Sequence, residues 1–421
     1  FPLFFPELRE FFLEGADYFD MGFGGDRIVP FYTRRIGLDE NREAVPIIAG
    51  ARLLGKEHNH TVGLMSIQTA EHEDEPLSNY TVGSWRQDVG AQSVAGFMSA
   101  NKFSEGKWHT TTAVNGRFST SKFLKKRNLD IGGAYIHTYN SDTAFDAKAF
   151  AYRAYLYYIN DKVVGVLTNQ LSPEPFDAEI GLMRRRNFSE TFALLSLKPR
   201  PNPDGPLSFI RQFEIVPLKL TYTTFADTKE IQTFDYTFQF LGFDTRKRDG
   251  ISASYTYKAE GLRDDFVLGD SLLIQDSIYW WDFFTVDAYT FNGRRLSARA
   301  NFGWGEYFTG YRERLRLTLN WRISSHFTLG TEMLNDKIDL PQGKLNVQLY
   351  RGRLEYAIGP NAFGSVYGQW NNANDQFLLN YRLRLIPKIG TDFYLILNQD
   401  YRSWDLQRTT ILGKLIWRFI L

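Results

Sequence analysis

The chain has 421 residues, no cysteine, 16% aromatic residues and a formal net charge of +1. Without cysteine it has no disulfide, thiolate metal site or thiol nucleophile. Its mean hydropathy of −0.33 and the lack of an apolar run near the ~18 residues of a membrane helix exclude a helical membrane protein, but not a β-barrel, whose strands are half polar.

The first 27 residues have no strand pattern. Residues 6–15 predict a short helix that ends at Gly15. We therefore predict that residues 1–27 are a plug or a periplasmic linker. Residues 28–421 are predicted to be the barrel domain, and Ile28–Ile36 would be its first strand. Because the chain begins abruptly at Phe1 with no visible signal peptide, we expect its natural N-terminus to lie upstream.

Segments with a two-residue period then follow one another closely. The predicted strands are roughly 28–36, 46–55, 60–69, 78–88, 92–102, 107–119, 127–137, 145–158, 162–170, 190–198, 207–226, 229–243, 249–259, 276–291, 294–304, 311–322, 325–335, 345–357, 360–371, 376–385, 391–402 and 408–420. Many exceed the ~5–6 residues of globular strands and suit the ~9–11 of a tilted membrane strand. The predicted fold is all-β, a transmembrane antiparallel meander β-barrel of about 20–22 strands with a non-barrel N-terminal segment.

The connections between the predicted strands indicate which end lies where. Tight turns near 292–293, 324–325, 359–360 and 388–390 alternate with longer ones near 260–275, 305–310, 336–344, 371–375 and 403–407. Short turns of such barrels are periplasmic, so both termini are predicted to be periplasmic. The segment 171–189 is predicted to be the longest loop or an inward-folded insertion.

The C-terminal strands have two chemically different faces. In residues 311–322, Leu315 and Trp321 alternate with Arg314 and Arg316. An arginine at mid-bilayer costs ~2–4 kcal/mol, so this face must meet a wet lumen, or bulk water in a soluble sandwich. From Arg294 onward 18 Lys and Arg stand against 10 Asp and Glu, a net of +8, which leaves −7 for the rest. The predicted lumen-facing basic residues are Arg295, Arg299, Arg312, Arg314, Arg316, Arg322, Arg351, Arg353, Arg382, Arg384, Lys414 and Arg418.

Two interpretations of this basic set remain open. Rings of cations bias a pore toward anions. Alternatively, the set forms structural networks with acidic residues of the lumen or of an acidic plug. The acidic candidates are Glu313, Glu355, Asp400, Glu7, Glu10, Glu14, Asp17 and Asp20.

The last strand alternates large apolar residues with polar ones, as closing strands of outer-membrane barrels do. Its predicted insertion signal comprises Leu415, Trp417, Phe419 and Leu421. Tryptophans that recur near strand ends predict a membrane girdle: Trp304, Trp321, Trp370 and Trp404.

Metal binding and catalysis have little support. The acidic run 71–75 offers carboxylates for Ca²⁺ but matches no loop motif, and a solvated loop is the simpler interpretation. His58 and His60 lack a third convergent ligand. There is no phosphate-binding loop, dinucleotide fingerprint or nucleophile elbow. We therefore predict no metal, no cofactor and no enzymatic activity. The aromatic residues alternate away from the arginines, so nucleic acid is not an expected partner.

Six segments together carry a family resemblance. They are 9–17, 31–37, 46–56, 178–185, 197–201 and 339–343. Their order and spacing resemble the uncharacterised C-terminal barrel domain of many outer-membrane proteins of Bacteroidota-type Gram-negative bacteria, a domain of unknown function. There it follows a family 9 carbohydrate-binding-like module. The resemblance implies an integral outer-membrane location and such a periplasmic module upstream of this chain. It transfers no catalytic residues.

Three functional hypotheses follow. The first is a gated or plugged channel that passes, or helps to translocate, anionic or glycan-like solutes. The second is a membrane anchor or a subunit of an envelope assembly that displays the carbohydrate-binding-like module. The third, a glycan or lipid hydrolase, needs an acid pair or a Ser/His pair that the sequence does not reveal. Expected partners are the lipid bilayer, lipopolysaccharide, the outer-membrane insertion machinery and envelope proteins.

Overall fold

The computed structural model describes residues 9–21, 28–39, 43–72, 75–143, 145–269, 272–388 and 390–417. Helical structure in these residues is short: α1 (Glu10–Leu13) and the two 3-10 turns Ala16–Phe19 and Thr33–Arg35. The helix α1 begins within the predicted helical stretch and is followed by Gly15, which has a left-handed backbone with φ of 72°. None of the described helices is long and apolar enough to cross a membrane.

Strands make up most of the described chain. They are β1 (Ile28–Val29), β2 (Ile47–Glu57), β3 (His60–Thr69), β4 (Ser78–Val89), β5 (Ser93–Ser104), β6 (Lys107–Phe123), β7 (Arg127–Asn140), β8 (Phe150–Ile159), β9 (Val163–Ser172), β10 (Leu182–Met183), β11 (Phe188–Leu197), β12 (Ile210–Phe213), β13 (Ile215–Phe225), β14 (Ile231–Thr245), β15 (Gly250–Gly261), β16 (Phe266–Leu268), β17 (Leu272–Ile274), β18 (Ile278–Tyr289), β19 (Leu296–Tyr307), β20 (Gly310–Arg322), β21 (Phe327–Leu340), β22 (Gly343–Gly359), β23 (Ala362–Asn371), β24 (Gln376–Lys388), β25 (Thr391–Arg402) and β26 (Asp405–Trp417).

Twenty-two of these strands, counted over the described residues, belong to one antiparallel β-barrel, and four form two small separate sheets. Neighbours in the chain pair with each other, as in β2 with β3 and β20 with β21. The predicted all-β antiparallel meander is therefore confirmed, with a strand number inside the predicted range. One predicted strand, 207–226, is divided into β12 and β13, and both pair with β14.

The prediction that Ile28–Ile36 is the first strand of the barrel is wrong. Only Ile28 and Val29 of this segment form a strand, and they pair with Met183 and Leu182 of β10 outside the barrel. Thr33–Arg35 form a 3-10 turn. The physical reason is that Ile28, Phe31 and Ile36 are all buried, at 2%, 7% and 0% exposure, and this spacing does not match the alternation of a barrel strand. The barrel begins at β2.

The described chain separates into two compact units. The first comprises residues 1–195 and 219–234, and the second comprises 196–218 and 235–421. In the first unit, one face of β3–β8 is covered by apolar side chains of the N-terminal segment and of the insertion 173–187. The buried cluster joins Phe12, Met21, Ile28, Phe31 and Ile36 with Phe176, Ala178 and Ile180, and with Met65, Ile67, Val82, Met98 and Ile136 from the strands. We call residues 9–21, 28–39 and 173–187 the plug.

In the second unit, the small hairpin β16–β17 folds back onto the sheet. Leu272 and Ile274 are buried with Ile338 and Leu340 near the end of β21. This hairpin lies in the connection that was predicted to be long, near 260–275. Three other connections expected to be long are only two residues, 308–309, 341–342 and 403–404, because β19 and β21 continue to Tyr307 and Leu340 and β26 begins at Asp405. The length of the turns therefore separates the two ends of the strands less clearly than expected, and the periplasmic position of the termini stays a prediction.

Candidate functional site

The predicted basic residues share one face of the sheet in the second unit. Strand register places Arg299 opposite Thr318, Arg316 opposite Asn301 and Glu332 opposite Arg351. The same register continues through β23–β26 and brings Arg384, Tyr394 and Lys414 to this side. We call it the arginine face. Eleven of the twelve predicted basic residues lie within the described chain, and the twelfth, Arg418, lies outside it.

Most of these arginines are held by carboxylates on the same or a neighbouring strand. Arg299 Nε lies 2.9 Å from Asp287, and Arg353 lies 3.0 Å from Glu355. Arg384 donates to Asp392 through two nitrogens, at 2.6 and 2.7 Å. These pairs fix the orientation of the guanidinium groups, which are strong donors for bidentate contacts with carboxylates.

The most enclosed pair is Arg312 with Asp336. Arg312 donates to both carboxylate oxygens of Asp336, and the Nε–Oδ1 distance is 2.7 Å. Asp336 is 8% exposed, and its apolar neighbours include Ile338 of the hairpin cluster. Beside it, Glu332 is shared by Arg316 and Arg351, each at 3.6 Å. One carboxylate therefore serves two guanidinium groups, and the local balance of charge is positive.

Arg314 stands between these pairs and makes no ion pair among the described residues. The register places it opposite Gly303 on one side and Asp336 on the other, but Asp336 is engaged by Arg312. Arg314 lines a cavity of about 640 Å³ together with Arg299, Arg316 and neutral hydrogen-bonding residues such as Asn301 and Asn320. The carboxylates of this cavity are Asp287 and Glu332, so its lining carries one more positive than negative charge. A cavity with this lining can bind an anion.

Two of the remaining predicted arginines, Arg295 and Arg322, donate hydrogen bonds to backbone carbonyl oxygens instead of forming ion pairs with carboxylates. Arg295 donates to the carbonyl oxygens of Arg322 and Ile323, and Arg322 donates to those of Asn292 and Gly293. They tie together the turns 290–295 and 323–326. Arg382 and Lys414 form no ion pair within the described part of the chain.

The acidic partners expected from sequence are only partly the ones found. Glu355 does pair with Arg353. Glu313 alternates with the arginines of β20 and lies opposite Trp304 and Lys337 on the other face. Asp400 accepts a hydrogen bond from Gln376. The sequence reasoning missed Asp287, Glu332 and Asp336, because a cross-strand partner is recognisable only when the strand register is known.

The plug is anchored by polar contacts as well as by its apolar cluster. Arg52 of β2 forms an ion pair with Glu14 at 2.6 Å and donates to backbone carbonyls of Phe11 and Glu14. Lys102 of β5 pairs with Glu179 of the insertion at 2.7 Å. Arg35 donates to the carbonyl oxygen of Gly181 at 3.2 Å and so joins the two parts of the plug. Of the acidic plug residues proposed above, Glu7 lies outside the described residues.

The predicted girdle tryptophans lie near strand ends. Trp304 stacks with Phe284 at 5.8 Å, and Trp370 donates from its indole nitrogen to Asp375 at 3.2 Å. Trp404 is 70% exposed in the turn after β25 and packs on Phe377. Trp321 lies at the opposite end of the strands, near the end of β20. In the predicted insertion signal, Leu415 and Trp417 are each 62% exposed, whereas Phe419 and Leu421 lie outside the described residues.

The histidine and carboxylate groups considered for metal binding do not converge. Within the described ranges, no group of three or more His, Asp or Glu is placed to hold a metal ion. His60 stacks on Trp85 and accepts a hydrogen bond from its indole at 3.3 Å. His72 closes a small bridge with Glu75, and Glu73 and Asp74 lie outside the described residues.

No family model and no curated protein matches the chain. Two solved structures resemble it. One is the open form of the ferric-catecholate import receptor Fiu from E. coli K12, at 7% sequence identity and a TM-score of 0.40, covering 87% of this chain and 71% of that one. The other is the ferric yersiniabactin uptake receptor FyuA from Yersinia pestis, at 9% identity and a TM-score of 0.36, covering 87% and 68%. The assignment to an antiparallel barrel rests on the strand pairing of the chain itself.

Proposed function

We propose that the chain is an integral outer-membrane β-barrel that carries its own plug and serves as a gated channel for anionic or glycan-like solutes. The observation that carries the proposal is the contrast between the two faces of the strands. Large apolar side chains such as Leu64, Phe97, Leu319 and Leu395 are exposed on one face. The other face carries the plug in the first unit and the arginines in the second.

Lipid is the solvent that suits the apolar face. An aqueous sheet would leave Phe97, Leu317, Leu319 and Trp321 exposed to water, which costs ~25 cal/mol per Å² of apolar area relative to an apolar environment. The opposite face cannot meet hydrocarbon, because charged side chains there would be desolvated. A membrane-embedded barrel with a wet interior meets both requirements.

Selection of anions is supported by the cavity around Arg314. Its lining has a net positive charge, and its neutral amides can bind oxygen atoms of a solute. Gating is supported by the plug, whose contacts with the strands include two ion pairs that can break and reform.

A second candidate function is a permanently plugged membrane anchor. The depth of the plug favours it, because Phe176, Ile180 and Ile36 are all fully buried. In this case, the barrel would hold an upstream module or an envelope partner. The carbohydrate-binding-like module, the lipopolysaccharide contact and the absence of enzymatic activity stay proposals on the same footing.

Conductance in planar lipid bilayers tests the proposal. We expect the intact chain to be silent or nearly so, and a variant without residues 1–45 to conduct with anion selectivity. An Arg52→Ser variant, which removes the ion pair with Glu14, should open more often than the intact chain. If all three fold and remain silent, the channel proposal fails and the anchor replaces it. Retention of a compact barrel is checked by its faster migration in unheated SDS gels.

A further inference from the structure

The polar side chains that line the cavity around Arg314 come from one face of the sheet. Directly paired residues of neighbouring strands point to the same side, and so does every second residue along a strand. Asn301 is paired with Arg316, and Arg299 is paired with Thr318 in the adjacent row of the same face. Arg314 precedes Arg316 by two positions on β20. The three arginines and the neutral side chains between them therefore face one common space.

The ion pairs of this cavity leave one guanidinium group free. Arg299 is paired with Asp287 at 2.9 Å, and Arg316 lies 3.6 Å from the shared carboxylate of Glu332. Arg314 is half-buried and forms neither an ion pair nor a hydrogen bond with any described residue. A guanidinium group that is partly withdrawn from water and has no protein partner favours the binding of an anion.

Beside the charged groups, the cavity offers neutral hydrogen-bonding groups on β20. Thr318 and Asn320 line it, and neither side chain has a hydrogen-bond partner within the described part of the chain. Hydroxyl and amide groups can both donate and accept, as the hydroxyl groups of a sugar do. Thr318 is four positions from Arg314, or about 13 Å along the strand at 3.3 Å per residue. A ligand that meets both groups must therefore be extended.

The balance of charge distinguishes between classes of anion. Arg314 offers two parallel N–H donors, which suit the two oxygen atoms of a carboxylate. Because the two carboxylates of the cavity already compensate its other two guanidinium groups, a single negative charge completes the balance. A phosphate ester carries about −1.5 to −2 charges at pH 7 and would leave an excess beside those carboxylates. A neutral sugar would leave Arg314 without a counter-charge.

We propose that this cavity binds a carboxylated sugar, a ligand with one carboxylate and several hydroxyl groups. The carboxylate binds the guanidinium group of Arg314, and the hydroxyl groups bind Thr318 and Asn320. The cavity volume of about 640 Å³ lies in the range of ~300–1,000 Å³ that holds small-molecule ligands. The proposal deepens the proposed function, on which it rests for the access of solutes to the cavity. It replaces a solute that is either anionic or glycan-like by one that is both.

The test uses two probes that differ in one group. Lactobionate and lactitol have the same galactosyl-hexitol skeleton, but lactobionate has a carboxylate where lactitol has a hydroxymethyl group. Binding to the full chain is measured by isothermal titration calorimetry in an amine-oxide detergent, because a sugar-headed detergent would compete. We expect lactobionate to bind at least tenfold more tightly than lactitol. Acetate or inorganic phosphate at the concentration of lactobionate should change its affinity by less than twofold.

Variants of the cavity show which groups hold the probe. Arg314→Met should weaken the binding of lactobionate at least tenfold, and Arg314→Lys should retain an intermediate affinity, because it keeps the charge without the fork of donors. Thr318→Val keeps the shape and removes the hydroxyl group, so binding should weaken about threefold. Arg353→Met is the matched control: Arg353 lies on the same face, pairs with Glu355 and does not line the cavity. It should leave binding unchanged.

The proposal is overturned if lactobionate does not bind, or if Arg314→Met or Thr318→Val binds it as well as the intact chain. Equal affinity for lactitol would show that the carboxylate is not recognised, and displacement by phosphate would make the cavity a general anion site. Because binding is measured without conduction, the two proposals fail separately. A chain that binds lactobionate but never conducts keeps the site and loses the channel. A chain that conducts anions without binding lactobionate keeps the channel and loses the carboxylated sugar.

Discussion

The arginine face shows how single residues can share one surface but differ in role. Arg312 is half enclosed with Asp336, Arg322 binds the backbone of a turn, and Arg314 has neither kind of partner within the described residues. Truncation of a paired arginine leaves the partially buried carboxylate of its partner without a counter-charge. Truncation of Arg314 removes only a positive charge. Stability and selectivity should therefore respond to different members of the set.

Arg312→Ser should destabilise the folded barrel. It would leave the carboxylate of Asp336, 8% exposed, without its guanidinium, which costs about 3 kcal/mol for a buried pair. The measurement is unfolding in urea followed by tryptophan fluorescence. The double variant Arg312→Leu with Asp336→Leu should recover much of the loss. A single variant as stable as the intact chain would contradict the enclosed pair.

Arg314→Ser should reduce anion selectivity with little change in stability. A unit charge about 4 Å from a permeating ion contributes ~1 kcal/mol in a water-like medium, so the anion-to-cation permeability ratio should fall by about twofold to fivefold. The reversal potential in a KCl gradient, measured on the conducting form, reports this ratio. Arg246→Ser is the control, because it removes the same charge from a turn. Equal effects of the two changes would show that only net charge matters.

For single residues, the sequence predicts which side chains share a face of the sheet better than it predicts which side chains form ion pairs. The alternation of Leu315 and Trp321 with Arg314 and Arg316 is visible in the sequence, and the register confirms that the arginines share a face. Asp336 and Glu332 are about 20 positions away in the chain, and only the pairing of β20 with β21 brings them close.

Among the elements, the plug departs most from its prediction. Strand periodicity identifies β2–β9 because both faces of each strand have a consistent environment. The segment 28–36 is similarly apolar, but it is packed on several sides and therefore has no alternation. The segment 171–189 was predicted to be a loop or an inward-folded insertion, and the structure places its Phe176 and Ile180 in the buried cluster.

Phe176→Ala should loosen the insertion. Phe176 is fully buried, and its truncation leaves a cavity that costs about 3–5 kcal/mol. Trypsin should then cleave faster at Arg184, which is exposed in the same insertion. Cleavage at Lys125 and Lys126, in the turn after β6, provides an internal control and should keep its rate. Equal acceleration at both places would indicate general unfolding instead of local release.

For the whole molecule, the antiparallel meander could be predicted because closely spaced alternating strands allow few other topologies. The number of strands matched for a partly accidental reason: one predicted strand proved to belong to the plug, and another was divided into β12 and β13. The arginine face of the second unit appears in the sequence as the net charge of +8 from Arg294 onward, whereas the boundary between the two units, at 195–235, has no counterpart in that charge difference.

Assembly in a membrane should depend on the apolar face of β26. Replacing Leu415 and Trp417 by serine removes two large, exposed apolar side chains. We expect slower assembly into lipid vesicles, measured as the fraction of protein that migrates as a compact species in unheated gels. Lys414→Ser, on the arginine face of the same strand, should have little effect. Loss of assembly in the lysine variant alone would reverse the assignment of the two faces.

The pairing of β1 with β10 also constrains the order of events in folding. Arg35 and Gly181, joined by a hydrogen bond, are 146 positions apart, and strands β2–β9 lie between them in the chain. The N-terminal segment precedes the insertion in the chain, so its apolar side chains reach their final neighbours only after the insertion is present. Contacts of such high sequence separation form slowly. The N-terminal segment therefore lacks part of its apolar packing until the insertion is in place, and we expect that it would not fold as an independent unit if it were moved to another barrel.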